Sequence, residues 1–201
     1  ANQRISMLQK ISKIKDKQAS ISNIDYIPRR KINKQLILEL ASMNFIKSYQ
    51  NVIVSGCTGA GKSFTIQALG NRAIENGYKT YYIRVPTLLE EIKIARATGT
   101  YINILKKYQR FQVLILDDFG ISQMSSDDAI NLLEILEDRV QVNSTIIASQ
   151  LPVANWYEYL NNNTVADAIL DRLVHSSHRI ELEGGSMRRI KSTIKKIDEN
   201  L

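Results

Sequence analysis

VIVSGCTGAGKSFTIQALG, residues 52–70, passes without a break from an apolar run to a glycine-rich turn to a helix-like segment. Gly56, Gly59 and Gly61 allow a tight turn whose successive N–H groups converge on phosphate oxygens. The turn opens onto the start of the next helix, whose dipole contributes about 0.3–1 kcal/mol toward an anion. Lys62 can reach the β- and γ-phosphates of a nucleotide, and the Ser63 hydroxyl can ligate Mg²⁺. All four fixed positions of the G-x₄-G-K-[ST] pattern are present. The stretch Gly56, Cys57, Thr58, Gly59, Ala60, Gly61, Lys62, Ser63 and Phe64 is therefore the expected grip for ATP with Mg²⁺. A chance glycine-rich turn is the alternative, and the strand–loop–helix context argues against it.

A second element fits the first. VLILDD, residues 113–118, ends a buried-strand pattern in two acids, at the strand end where ligands gather in open α/β sheets. Asp117 is placed to hold the Mg²⁺ shell, and Asp118 to polarise an attacking water. Turn-forming or helix-capping carboxylates are the plainer alternative for such a pair. Loop and acids together read as a nucleoside triphosphatase.

Outward from this centre the chain alternates. KTYYIRV, FQVLILDD, STIIASQ and RIELE read as strands, and SFTIQALGNRAIENG, TLLEEIKIARA, YINILKKYQR and DDAINLLEILEDRV read as helices. Gly77 caps the first of these helices and Pro86 starts the second. In the last of them Leu133, Leu136 and Val140 are expected on one apolar face. Upstream, RISMLQKISKIK aligns Ile5, Leu8 and Ile11, and KINKQLILELASMNFIK reads as one continuous helix. The implied class is α/β, a parallel sheet with helices on both faces.

The 201 residues suffice for one domain, and the net charge of +7 is unevenly placed. Residues 1–34 carry nine Lys/Arg against two acids, residues 35–187 are close to neutral at −3, and residues 188–201 are at +3. The expected organisation is a basic N-terminal arm or helix (1–34), an ATPase domain (35–187) and a basic tail (188–201). Basic ends suit a polyanion, through counterion release, or are simply solvated. No apolar run approaches the roughly 20 residues that span a membrane. The single cysteine excludes an internal disulfide. A cytoplasmic protein with no membrane partner is expected. A chain beginning at Ala1 reads as processed, or as a piece of a longer protein.

Other candidates are weaker. His175 and His178 stand three apart, which suggests a metal, but no Cys or carboxylate cluster accompanies them and a packed or surface pair is favoured. Cys57 near a helix start reads as a small filler rather than a redox switch. Trp156 and Tyr157 are expected to dock a short helix, and Tyr81 and Tyr82 to pack in the sheet.

The series GCTGAGKS, VLILDDFG, STIIASQLP, ILDRLVH and EGGSMR resembles the IstB-like AAA+ ATPases of bacterial insertion sequences, and is similar also to the DnaC/DnaI helicase loaders. The likeness runs from about Ile32 to Arg188 and is most specific in QLPVANWYEYL and AILDRLVHSSHRIELEGGSMR. It implies a P-loop NTPase of AAA+ type, with a five-stranded parallel sheet in the order 5-1-4-3-2 and ATP bound between neighbouring subunits. It also implies that Arg172 reaches the ATP of an adjacent copy, a contribution worth roughly 10³–10⁵ in rate. Arg188 becomes a second sensor of the γ-phosphate and Gln150 a first sensor, where Asn is commoner. The acid pair is Asp-Asp where Asp-Glu is more frequent, and the helical lid after RIELE is expected to be reduced or absent. Lys93, Arg96, Lys106, Lys107 and Arg110, with Tyr101 and Tyr108, fall where initiators and loaders track nucleic acid. They suit sequence-independent contact with duplex DNA, or stacking on a single strand, and an ordinary solvated helix pair is the alternative. The implied function is ATP-dependent self-association on DNA that presents a target to a transposase. The alternative is a loader whose partner is a replicative helicase. A small metabolic kinase is a third reading, for which the sequence offers no acceptor constellation.

Overall fold

The computed structural model describes residues 2–184. In chain order its elements are α1 (Asn2–Ser12), α2 (Lys34–Ala41), α3 (Asn44–Lys47), β1 (Asn51–Gly56), α4 (Lys62–Glu75), β2 (Thr80–Arg84) and α5 (Val85–Ala97). There follow α6 (Tyr101–Gln109), β3 (Val113–Phe119), α7 (Ser126–Glu137), β4 (Ser144–Ser149), α8 (Trp156–Tyr159), α9 (Asn163–Val174) and β5 (Ser177–Leu182).

Four successive apolar residues at 113–116 require cover on both sides of a strand, because neighbouring side chains point to opposite faces. The cover is there. Val113 and Ile115 join Val52, Val54, Ile146 and Ala148 in one cluster, beneath α4 and the N-terminal segment. Leu114 and Leu116 join Ile53 and Ile147 in the other, beneath α5, α7 and α9. All strand pairs are parallel, in the order β2-β3-β4-β1-β5, as the resemblance implied. The class is therefore the expected AAA+-type α/β arrangement. The lid expectation falls on residues outside those described.

The basic segment 1–34 packs through its apolar residues. Leu8, Ile14, Ala19 and Ile24 are core residues, while Lys10, Lys13, Lys15 and Lys17 face solvent. The amide of Gln67 on α4 holds the turn by accepting from the N–H groups of Lys15 and Asp16. Asn71, one helical turn further on, donates to Asp16 O and Ala19 O.

Three local expectations are corrected. The helix expected across 31–47 breaks at Met43, which is left-handed at φ +63°. Ser42 folds its Oγ back onto Glu39 O and ends α2 there. The packed face of α7 is Ala129, Leu132, Ile135 and Leu136, while Val140 lies beyond the helix end and is exposed. Ile11 is exposed rather than aligned with the buried Leu8. The signals of Gly77 and Pro86 hold, with Pro86 in the first turn of α5, and one further cap emerges. Ser125 and Asp128 make a reciprocal capping box. Gly77 at φ +83° donates to Ile74 O while Tyr78 N–H donates to Ala73 O, closing α4. No helix among the described residues is long and apolar enough to cross a membrane.

Candidate nucleotide site

Strands of one parallel sheet end along one rim, and the register sets which residues share it. Arg84 of β2 lies beside Asp117 of β3, and Ser149 of β4 lies beside Ser55 of β1. The glycine-rich loop follows β1 and opens on this rim. Gly56 passes so close to β5 that a Cβ would stand 2.5 Å from Leu182 O. Gly59 and Gly61 take φ of +81° and +96°, which L-residues with side chains rarely adopt.

Lys62 folds back over the loop, and its Nζ donates to Gly56 O at 2.7 Å and Cys57 O at 2.8 Å. Burial pushes its pKa down, against the pull of Cys57, Asp117 and Asp118. Thr58 and Ser63 are exposed, and Phe64 packs on the core below. Cys57 Sγ donates to Gly184 O at 3.1 Å, a contact with the chain leaving β5.

Asp117 is buried and held on both oxygens. Tyr82 donates its hydroxyl to Oδ2 at 2.6 Å, and the Asp118 N–H donates to Oδ1 at 2.8 Å. Burial, and then this bond, raise the Tyr82 pKa far above its usual range, so it stays a donor. The pairing of β3 with β4 shifts between Leu116 and Phe119, an irregularity of the bulge kind that re-aims side chains beside sites. Asp118 sits in it at φ +59° and accepts from Arg84 Nε at 2.5 Å. That bond holds the Arg84 pKa up. Gln150, half-buried, follows β4, with its N–H on Phe119 O.

The donor set fits Mg²⁺. It takes oxygen ligands and uses one or two carboxylates plus substrate phosphates rather than a protein cage. Asp117 and Ser63 supply such oxygens, and no cluster of three or more acidic, His or Cys ligands occurs among the described residues. A cleft of about 590 Å³ lies elsewhere, between residues 19–26, α2 and the outer turns of α4.

Arg172 is at the other rim. It lies in the last turn of α9, and its main-chain oxygen accepts from the side chain of Asn51, the first residue of β1. Five strand steps separate Asn51 from Gly56, on the order of 16 Å, so Arg172 stands far from its own chain's loop. Its Nη2 pairs with Glu137 at 2.8 Å.

Of the basic residues on α5 and α6, Lys93 pairs with Asp128, Arg96 with Glu134 and Lys107 with Glu91. Lys106 and Arg110 are exposed with no acid partner among the described residues. Arg96 also stacks 3.9 Å over the Tyr101 ring, and Tyr108 is buried with its hydroxyl donating to Glu91. Arg188 lies outside the described residues.

His178, on β5, meets Gln50 at 2.8 Å, and His175, at the end of α9, sits 3.0 Å from Asp171, so the two share no helix face. Trp156 docks α8, donating to Ser149 Oγ and Leu151 O, whereas Tyr157 is exposed. Sequence reasoning missed Tyr82 and Arg84 as neighbours of the acid pair. Tyr81 does pack, against Phe111, but alternation sends Tyr82 to the opposite face and onto Asp117. The usable signal was Arg84 at the end of its strand, the position that carries Asp117 in β3.

Residues 1–195 match the family described as IstB-like ATP binding protein. The insertion sequence protein y4pL of Sinorhizobium fredii, named as ATP-binding, is 42% identical over 172 residues, which are 86% of this chain and 70% of that protein. Two further relatives are matched over 65% of their own length, so the chain spans about two thirds of such proteins. Among solved structures, that of DnaI superposes with a TM-score of 0.68 at 21% identity, covering 83% of this chain and 92% of that one. The DnaC helicase loader gives 0.68 at 17% identity, over 84% and 99%. At such identities these two likenesses concern the fold alone. By sequence, this chain belongs to the IstB-like ATP binding protein family.

Proposed function

We propose that this protein is an ATPase that binds ATP with Mg²⁺ in the loop 56–64, assembles with copies of itself through the bound nucleotide, and does so on duplex DNA to present a target to a transposase. The observation that supports the reading is the separation of the loop from Arg172. The loop and both acids stand at one rim, and Arg172 stands at the other, out of reach of its own loop. A single chain holds both halves of a site that only a neighbour can complete.

In this reading the N–H groups of residues 59–63 and the Lys62 ammonium bind the phosphates, with Lys62 leaving Gly56 O and Cys57 O to do so. Ser63 and Asp117 would hold Mg²⁺, which would neutralise charge on the phosphate oxygens. Asp118 accepts the proton of the attacking water, Gln150 and Arg188 sense the γ-phosphate, and Arg172 stabilises the charge that develops on it in the adjoining copy. Asp118 is tied to Arg84, so hydrolysis waits for a rearrangement that draws Arg84 away. Turnover is accordingly slow until assembly.

The DNA face is built from basic residues without acid partners among the described residues, namely Lys106, Arg110 and Lys10, Lys13, Lys15 and Lys17 of the N-terminal segment. Lys93, Arg96 and Lys107 contribute by exchanging their intrachain acids for phosphates. Sedimentation with long duplex DNA, without nucleotide, with ADP and with a non-hydrolysable ATP analogue, tests the reading. Large complexes appearing only with the analogue are expected. A species that stays monomeric in all three, but travels with a replicative helicase, would replace the reading with that of a loader.

A further inference from the structure

Arg30 has no place in the glycine-rich pattern, yet it lies against the loop. It ends the short turn Pro28–Arg30 and is 6% exposed. Its guanidinium reaches two neutral acceptors, Nη1 donating to Asp25 O and Nη2 to Ala60 O, each at 2.7 Å. Its own carbonyl accepts from Glu183 N–H at 3.1 Å, and its Nε is buried with no acceptor. A buried cation with an unmatched donor is a weak way to hold segments together, since burial penalises both the charge and the unmade bond. An apolar side chain of similar length would fill the space without that penalty. What the arginine adds is the fixed direction of its fork.

The Ala60–Gly61 peptide is trans, so its C=O and N–H point opposite ways. The Ala60 oxygen is drawn onto Nη2, while the Gly61 N–H has no protein acceptor among the described residues. Gly61 also makes the approach sterically feasible, because a Cβ there would stand 2.3 Å from Nη2.

We propose that Arg30 is a positioning residue for the triphosphate. By holding the Ala60 carbonyl on the rear of the loop, it aims the Gly61 N–H at the phosphate oxygens. The planar fork is essential, because its other arm is anchored on Asp25 O and keeps Nη2 in place. The proposal rests on the nucleotide-binding reading above and adds a residue from a separate segment to that site.

The test is competition of ATP and of inorganic tripolyphosphate, each with Mg²⁺, against a fluorescent ATP analogue. It is run on the unaltered protein, on Arg30→Met, and on Ile135→Val as a control for general loosening of the core. Arg30→Met should weaken both competitors by the same factor, about tenfold, as expected for one hydrogen bond to a charged group. Ile135→Val should lower the melting temperature and leave both affinities unchanged. A loss confined to ATP would place Arg30 on the nucleoside side and overturn the proposal, as would unchanged affinity for both. Failure of the unaltered protein to bind either competitor would overturn the nucleotide-binding reading itself, and this proposal with it. If Arg30→Met does not fold, Arg30→Lys decides. Its ammonium can donate to a carbonyl but lacks the rigid planar fork that fixes the direction of Nη2, so an equal loss for both competitors supports the fork and full affinity refutes it.

Discussion

At the rim where the strands begin, Arg139 is fully buried and every nitrogen has an acceptor. Nε donates to Thr145 Oγ1, Nη1 to Tyr108 O and Phe111 O, and Nη2 to Ser144 O. At the rim where they end, Arg30 leaves Nε unmatched, Lys62 rests on two loop carbonyls, and Asp118 is held in a left-handed conformation. Both rims bury positive charge. The first satisfies it with fixed carbonyls, and although burial lowers the Arg139 pKa to about 9, the group stays protonated at neutral pH. At the second, Lys62 rests on loop carbonyls that a phosphate can replace. Buried charge that is fully matched serves the fold, and buried charge that is loosely matched marks where a ligand completes it.

The contrast can be broken by substitution. The largest effect is expected for Arg172→Ala, which should slow hydrolysis in the DNA-bound assembly by about 10³-fold while leaving the affinity of isolated chains for ATP unchanged. Single-turnover rates with and without DNA check this. Arg139→Met should cost about 3 kcal/mol of stability, because three main-chain carbonyls lose their donor. Urea unfolding measures it.

Lys62→Met should show the opposite profile, with ATP affinity falling about 100-fold and stability holding or rising. Its pH dependence carries a sign. The folded-state pKa of Lys62 is depressed below its ordinary 10.5, so the unfolded chain binds more protons between the two values. The unaltered protein gains stability as pH rises through that window, and any advantage of Lys62→Met should shrink toward pH 10.5. A constant advantage across the range would contradict the assigned direction. The smallest effect is expected for Tyr82→Phe, which removes the hydroxyl that orients the Asp117 carboxylate. The Mg²⁺ concentration at half-maximal activity should then rise about fivefold, as for the loss of roughly 1 kcal/mol.

The rims also differ in how far they could be read without a structure. The loop 56–63 and Asp117 were legible because their chemistry demands fixed residues at fixed spacing, and the strands because both-sided burial requires unbroken apolar runs. The break at Met43 was not, since it depends on one left-handed residue within a continuous helical pattern. Arg139 lies in the stretch that reads as one amphipathic helix, and nothing in that pattern shows that it turns inward once α7 has ended at Glu137. The partners of Tyr82, Arg84 and Arg30 were illegible for a common reason. Each acts on a residue 30 to 35 positions away, and only the sheet register or the packed N-terminal segment brings them together.

The placement of Arg172 at one rim and the loop at the other bears on symmetry. A two-fold pair could bring one rim of each copy together, but it would leave the complementary half of each site facing solvent. Under the proposed assignment the contact is heterologous, with head meeting tail. Such contacts give a closed ring if the rotation between copies divides a full circle, and an open helix if it does not. Either way the array is directional, and in an open helix one terminal copy always lacks the arginine of a neighbour. Hydrolysis would then proceed in the interior and fail at that one end, giving the array a polarity that the DNA beneath it does not have.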